Sequence, residues 1–179
     1  MDFSFIRYTS MMFTLTAMQI RELHGTIKQS QLNAVIRTHQ ETLKCFDYLQ
    51  KALNLAVLFQ FAFCSVIWCL MLLYILMMGF DAKIINVSIL LMLLTCGTYA
   101  YCQLATELTE TSLEVLRALE ELSWYEQSLP VQKGILFMIQ SAQRPIVLTA
   151  AKLIPINIAQ FSEIVKKSYS VYVVLKDIF

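Results

Sequence analysis

The stretch LAVLFQFAFCSVIWCLMLLYILMMGF, Leu55–Phe80, contains no charged side chain, and the uncharged run already begins at Ala52. A helix needs about 20 apolar residues to cross the hydrocarbon core of a bilayer. This segment is long enough with residues to spare. After the short connection Gly79–Lys83, a second uncharged run extends from Ile84 to Thr106. So short a link predicts that the two helices form an antiparallel hairpin.

Composition points the same way. The 179 residues are 58% hydrophobic and 15% charged, with a mean hydropathy of +0.60. Soluble globular chains are about 45–50% apolar and about 25% charged. Four glycines and three prolines leave few turn signals, while the Leu, Met, Ala and Glu content favours helix. The expected fold class is an all-α membrane protein, a helical transmembrane bundle with cytoplasmic helical extensions. A net charge of +1 offers no basic footprint for nucleic acid.

Basic residues set the orientation. Arg37, Lys44 and Lys51 precede the first span, Arg117, Lys133 and Arg144 follow the second, and the connection offers only Lys83. Under the positive-inside rule both ends of the hairpin are cytoplasmic and its tip is external. Beyond the second span, Glu107–Ser128 is amphipathic. Leu108, Val115, Leu116, Leu119 and Leu122 fall within about 120°, while Glu107, Glu110, Glu114, Arg117 and Glu121 gather within about 80° on the other side. This predicts a helix continuing the span into water. Lys28–Lys51 is similarly mixed and should run as a helix into the first span. Tyr8–Ile20 is uncharged but too short to cross alone; it reads as the tail of a helix whose earlier part precedes this sequence. The last quarter is apolar around Lys152 and again over Ser168–Leu175, with Glu163, Lys166 and Lys167 between. An interfacial helix and a crossing helix with one wet face both fit such a pattern.

No arrangement suited to catalysis appears. The histidines, His24 and His39, lie in polar helical stretches without a Cys, Asp or Glu at a motif spacing, so both are expected at the surface. P-loop, G-x-G-x-x-G and H-E-x-x-H patterns are absent. Cys45, Cys64, Cys69, Cys96 and Cys102 form no C-x-x-C pair and read as free thiols. No enzyme activity, cofactor or metal is therefore expected. The sequon Asn86-Val87-Ser88 lies about one helical turn into the second span and should stay unglycosylated. What remains is apolar and aromatic. The outer halves of the spans, with Trp68, Tyr74, Met77, Met78 and Phe80 on one and Ile85, Ile89 and Met92 on the other, could line a greasy pocket. Plain helix and lipid packing is the competing explanation.

An ordered set of short motifs resembles the insect odorant receptor family. It begins at Leu108-Thr-Glu-Thr-Ser112 and passes through Ala118, Trp124-Tyr125 and Pro130. It resumes at Ala142-Gln143-Arg144-Pro145 and Leu148-Thr149-Ala150, continues through Asn157 and Phe161, and closes with Ser168-Tyr169-Ser170 and Val174-Leu175. His39 leading into a long span is also like the family. Two positions depart from the pattern: Ala105-Thr106 where members often carry a Gly-Asn-like pair, and Lys166-Lys167 where they favour one lysine.

The resemblance implies a partial seven-helix receptor running from the end of the fourth helix to the seventh. Residues 1–25 would end a transmembrane helix with its cytoplasmic extension, and 26–54 would be a cytoplasmic helical segment. The spans 55–80 and 84–106 would be helices five and six, residues 107–145 cytoplasmic anchor helices, and 154–178 the pore-lining helix. Trp124, Tyr125, Gln143 and Arg144 would belong to the subunit anchor. Lys166, Ser168, Tyr169, Tyr172 and Val173 would face the pore, and Trp68, Tyr74, Met77, Ile85, Ile89 and Met92 the ligand. Members bind small hydrophobic volatile ligands and assemble with an odorant co-receptor as hetero-tetrameric cation channels in the plasma membrane of olfactory neuron dendrites. A gustatory receptor of the same superfamily and a small membrane adaptor protein remain as alternatives. The orientation is testable by inserting an epitope after Asp81. It should be stained on intact cells, and staining only after permeabilisation would reverse the topology.

Overall fold

The computed structural model describes the chain except Met1, His24, residues 79–81, residues 151–153 and Phe179, and except the side chains of residues 2, 75, 76, 78, 82–84, 168, 171, 172 and 175–178. In chain order the described elements are α1 (Asp2–Arg21), α2 (Gln29–Met78), α3 (Ala82–Glu120), a 3-10 turn (Trp124–Glu126), α4 (Leu129–Ala142), β1 (Thr149–Ala150), β2 (Ile154–Pro155) and α5 (Ile158–Ile178). Residues 79–81 of the connection and Phe80, expected in the pocket, lie outside the described residues. The chain divides into two compact units, residues 1–52 with 104–148 and residues 53–103 with 149–179.

The first unit joins α1, the early part of α2, the late part of α3, and α4. Its core is apolar: Ile6, Phe13 and Ile20 of α1, Leu32 and Val35 of α2, Leu108, Val115 and Leu119 of α3, Val131 and Ile135 of α4. On α1 the spacing of seven repeats one face every two turns. That face runs antiparallel to α2, since Thr9 Oγ1 meets Cys45 Sγ at 3.6 Å while Phe13 meets the His39 ring edge-on at 6.5 Å between centroids. Ser10 reaches Thr111 of α3 at 3.2 Å. Leu108, Val115 and Leu119 are buried as the amphipathic pattern requires, Leu116 and Leu122 half-buried. At Gly134 of α4 an added Cβ would sit 2.7 Å from Leu32 Cδ2, so a bare backbone lets α4 approach α2 there.

Two boundaries differ from the sequence expectation. The helix predicted to reach Ser128 stops at Glu120. Pro130 would obstruct a helix only from Glu126 onward, and the earlier stop at Glu120 goes with the Gln127 side chain, which bonds the Gly25 carbonyl and the Ile27 N–H from outside the helix. Pro130 sits in the first turn of a new helix, α4, where its missing N–H is harmless. The last helix starts at Ile158 rather than Ile154. Ile154 and Pro155 pair antiparallel with Ala150 and Thr149, and Asn157 then caps α5 by accepting the Gln160 N–H through Oδ1 at 2.7 Å.

The second unit holds the spans. α2 and α3 each contain a stretch long and apolar enough to cross a membrane, and their contacts run antiparallel. Gln60 is bonded to Thr98, Trp68 to Thr95, and Met71 is clustered with Leu91. Phe59, Phe63, Leu70, Leu90 and Leu93 are exposed, which is the disposition lipid-facing side chains need. α5 touches α3 through the Tyr99–Phe161 ring pair, 5.9 Å between centroids.

One expectation is overturned. His39 is not at the surface: it is 5% exposed, and neither ring nitrogen has a hydrogen-bond partner. His24 lies outside the described residues. His39 falls on the same stripe of α2 as Leu32, Val35, Thr42 and Leu49, all buried, so helical phase decides its burial and polarity does not. Burial holds its pKa below the ordinary 6.5 by disfavouring the imidazolium. Above 6.5 both folded and unfolded chains are neutral there and the full stability is present. As pH falls below 6.5 the unfolded chain takes up the proton first, and stability is lost until the folded value is passed. Detergent-solubilised protein should therefore melt at lower temperature near about pH 5.5 than near about 7.5. His39→Leu should shrink that difference and raise stability by roughly 1–3 kcal/mol, since an unpaired buried polar group is removed. Thermal circular dichroism measures both effects.

Candidate functional site

The few polar side chains inside the spans organise the hairpin. Thr95 and Thr98 donate their hydroxyl hydrogens to the carbonyls of Leu91 and Leu94, at 2.7 and 2.8 Å. Each oxygen keeps lone pairs for the other helix. Thr95 accepts from Trp68 Nε1 and Thr98 from Gln60 Nε2, both at 3.2 Å. These bonds fix the rotation of α2 against α3. Trp68 consequently turns towards α3, half-buried on the Met71–Leu91 cluster.

The six residues expected to line a pocket do not share one surface. With Trp68 directed at α3, a step of about 100° per residue carries Tyr74 and Met77 some 120° and 180° round α2. Both are exposed, Met77 at 75%. On α3, Ile85, Ile89 and Met92 fall within about 60° of one another and are also exposed. They form a continuous apolar stripe on one side of the helix. Trp68 belongs to the helix contact, and five of the six lie on outward faces. Gln60, Thr95 and Thr98 were not anticipated as organising residues. The signal available for them was their polarity inside an uncharged run.

The four residues expected to anchor subunits lie at the two ends of α4, whose 14 residues span about 21 Å. At its start, Trp124 is half-buried and meets Tyr125 edge-on at 6.3 Å, with Tyr125 65% exposed. Gln132 of α4 donates from Nε2 to the backbone carbonyls of Tyr125 and Gln127, at 2.9 and 2.8 Å. At the other end Gln143 caps the helix, its N–H bonded to the Ile139 carbonyl, and Arg144 borders a shallow hollow with Phe137, Gln140 and Ser141. Gln143 and Arg144 are both exposed. Between the two ends, Val131, Ile135, Met138 and Ala142 are buried while Leu136 and Phe137 are exposed.

On α5, Lys166, Tyr169 and Val173 are exposed and share an arc of about 60°. Lys167 pairs with Glu163 at 3.4 Å, one turn apart on the flank of that arc. Both partners are largely exposed, so the pair adds little stability, but it leaves Lys166 as the basic group nearest the arc's centre. The side chains of Ser168 and Tyr172 lie outside the described residues. Among the described residues, no group of His, Cys, Asp and Glu is placed to hold a metal ion.

The profile of the family described as 7tm Odorant receptor matches residues 1–169. Odorant receptor 19a of Drosophila melanogaster is 25% identical over 151 residues, 84% of this chain and 39% of that one. Odorant receptor Or2 of Anopheles gambiae is 21% identical over 150 residues, 84% of this chain and 40% of its own. The chain thus spans about two fifths of the curated relatives it matches. Among solved structures, the insect olfactory receptor OR5 of Machilis hrabei in complex with eugenol superposes with a TM-score of 0.83 at 18% identity, covering 97% of this chain and 46% of that one.

The interhelical bonds make a direct prediction. In a double-mutant cycle, Trp68→Phe with Thr95→Val should show a coupling of about 0.6 kcal/mol, the typical value for a hydrogen bond between membrane helices. Thr95→Val alone should lower stability, measured by unfolding in mixed micelles, and Ser88→Ala on the same helix should not.

Proposed function

The chain belongs to the insect odorant receptor family, and on that premise we propose that it contributes to a subunit of an odorant-gated cation channel working with an odorant co-receptor. The observation that carries this reading is the extent of the family match, which runs through both spans, the helical extensions and into α5. The channel would sit in the plasma membrane of olfactory neuron dendrites.

In this reading the apolar stripe Ile85, Ile89 and Met92 takes part in holding a small volatile hydrophobic ligand, and Tyr74 and Met77, turned away from α3, would join only where a further helix of the receptor packs against that side of α2. A pocket of this kind selects by shape, because one methylene is worth only about 1–3 kcal/mol. Trp68 acts indirectly, by keeping α2 and α3 in register through Thr95. The exposed arc of α5 is the candidate pore lining. Tyr169 and Val173, one turn apart, are placed for a constriction, with Lys166 and the side chains of Ser168 and Tyr172 beside it. Charges on a membrane helix are tolerable when they meet water, and that requirement favours the wet-faced crossing helix for α5 over an interfacial one. Trp124, Tyr125, Gln143 and Arg144, at the two ends of α4, would meet partner subunits. A hetero-tetramer with the co-receptor brings four such surfaces round one axis.

The test is electrical. The chain is expressed with an odorant co-receptor, in frame with whatever its transcript encodes upstream of Met1. A panel of apolar volatiles should evoke a cation current beyond that of the co-receptor alone. Tyr169→Ala should alter its ion selectivity or block, and Met92→Ala should shift the ligand profile while sparing co-receptor binding. Absence of evoked current across the panel, with the chain at the cell surface and bound to the co-receptor, would refute the reading.

A further inference from the structure

The end of α1 and the break after α3 enclose a cavity of about 340 Å³, bordered by Arg21, Gly25, Ile27, Glu121, Ser123 and Gln127 among others. One side chain holds its two walls together. Gln127 donates from Nε2 to the Gly25 carbonyl at 2.8 Å and accepts the Ile27 N–H at Oε1 at 2.9 Å. Arg21 and Glu121 form an ion pair across the same space at 3.6 Å, with side chains 49% and 65% exposed. A surface pair at that distance is weak, so Arg21 is free to exchange partners.

Ser123 lies on the rim of this cavity. It is exposed, and its hydroxyl makes no capping bond to the turn that follows. That turn, Trp124–Glu126, is one 3-10 turn closed by bonds of 3.4 and 3.3 Å. Both are long for N–H···O bonds, so the turn's own closing bonds resist opening weakly, and the firmer ties lie after Ser123, from Gln132 to the Tyr125 and Gln127 carbonyls. By contrast, Thr109, Thr111 and Ser112 sit within α3 and donate to its carbonyls at 3.1 Å or less. Ser123 is followed by Glu126 and preceded by Glu120 and Glu121. Among the described residues it is the one Ser or Thr outside the helices with a carboxylate three positions on.

We propose that Ser123 is a phosphorylation site for an acid-directed serine/threonine kinase and that its phosphate draws Arg21 away from Glu121. Carboxylates flanking a hydroxyl suit a kinase whose substrate groove is basic. The hydroxyl oxygen of Ser123 bonds to the γ-phosphorus of ATP as the bond to the departing ADP breaks, and the serine proton passes to the kinase's base. The product carries between one and two extra negative charges and three acceptor oxygens. The guanidinium of Arg21, across the cavity, matches a phosphate by paired N–H···O bonds better than one long contact to a carboxylate. Glu121, left without its cation beside a new anion, is pushed outward. The inference rests on the cytoplasmic orientation of this unit and is independent of the channel reading.

The full chain in lipid nanodiscs, open on both faces so that orientation does not enter, is incubated with a purified acid-directed kinase and ATP. Mass spectrometry should find phosphate on Ser123. Ser123→Ala should abolish that label, and Glu126→Gln should slow its incorporation roughly tenfold or more. The second ionisation of the phosphoserine, followed by phosphorus NMR, should lie below the ordinary value of about 6 in the unaltered chain and return towards it in Arg21→Ala. Absence of label at Ser123 overturns the site, whether or not a peptide of residues 120–130 is phosphorylated. An incorporation rate indifferent to Glu126→Gln overturns the acid-directed assignment, and an ionisation indifferent to Arg21→Ala overturns the partner exchange.

Discussion

Inside hydrocarbon no water is available to a backbone amide or carbonyl, and each group left unsatisfied costs several kcal/mol. The long helices follow from this requirement. α2 runs unbroken for 50 residues and α3 for 39, because a break within the spans would strand polar groups in lipid. The same requirement disciplines the side chains. Thr95 and Thr98 bond to their own carbonyls and still accept from Trp68 and Gln60. Apolar side chains lie against lipid and against each other almost equally well, so greasiness alone cannot orient one span against its neighbour. Two hydrogen bonds supply the orientation, and the outward stripe of α3 is a consequence.

Outside the spans the balance reverses. In the first unit the apolar faces of α1, α2, α3 and α4 converge on a core of Ile, Leu, Val and Phe, and where such faces meet water their burial drives the association. Breaks become affordable once water can satisfy the backbone. They occur between α1 and α2, after Glu120 and before Ile158, each with a local device: the positive φ of Gly25, the Gln127 amide, the Asn157 cap. His39 is the exception within this core. Its ring fills space beside Phe13 while both nitrogens go unpaired, which leaves the site sensitive to protons and to substitution.

The spans and their antiparallel pairing could be read from Leu55–Phe80 and the short connection after it, because the bilayer imposes a length that few other contexts demand. Three features could not. His39 looked like a surface residue because its neighbours are polar, and only the phase it shares with Leu32 and Leu49 betrays its burial. The end of α3 at Glu120 depends partly on Gln127 gripping a loop about 100 residues earlier in the chain, which no local pattern announces. The bond that turns Trp68 towards α3 was not legible either, because its size and apolarity spoke only for a pocket or for packing. Its direction depends on Thr95, 27 positions away.

The first unit is assembled from two separated segments, residues 1–52 and 104–148, with both apolar spans between them in sequence. Such a unit cannot close during synthesis until the second half has left the ribosome. At about 5–20 residues per second, residues 1–52 wait several seconds while both spans enter the bilayer. Through that interval Ile6, Phe13, Ile20, Leu32 and Val35 lack the α3 and α4 side chains that complete their core. The gap in the unit therefore sets an order for biogenesis: both spans are synthesised first and the unit that flanks them closes last.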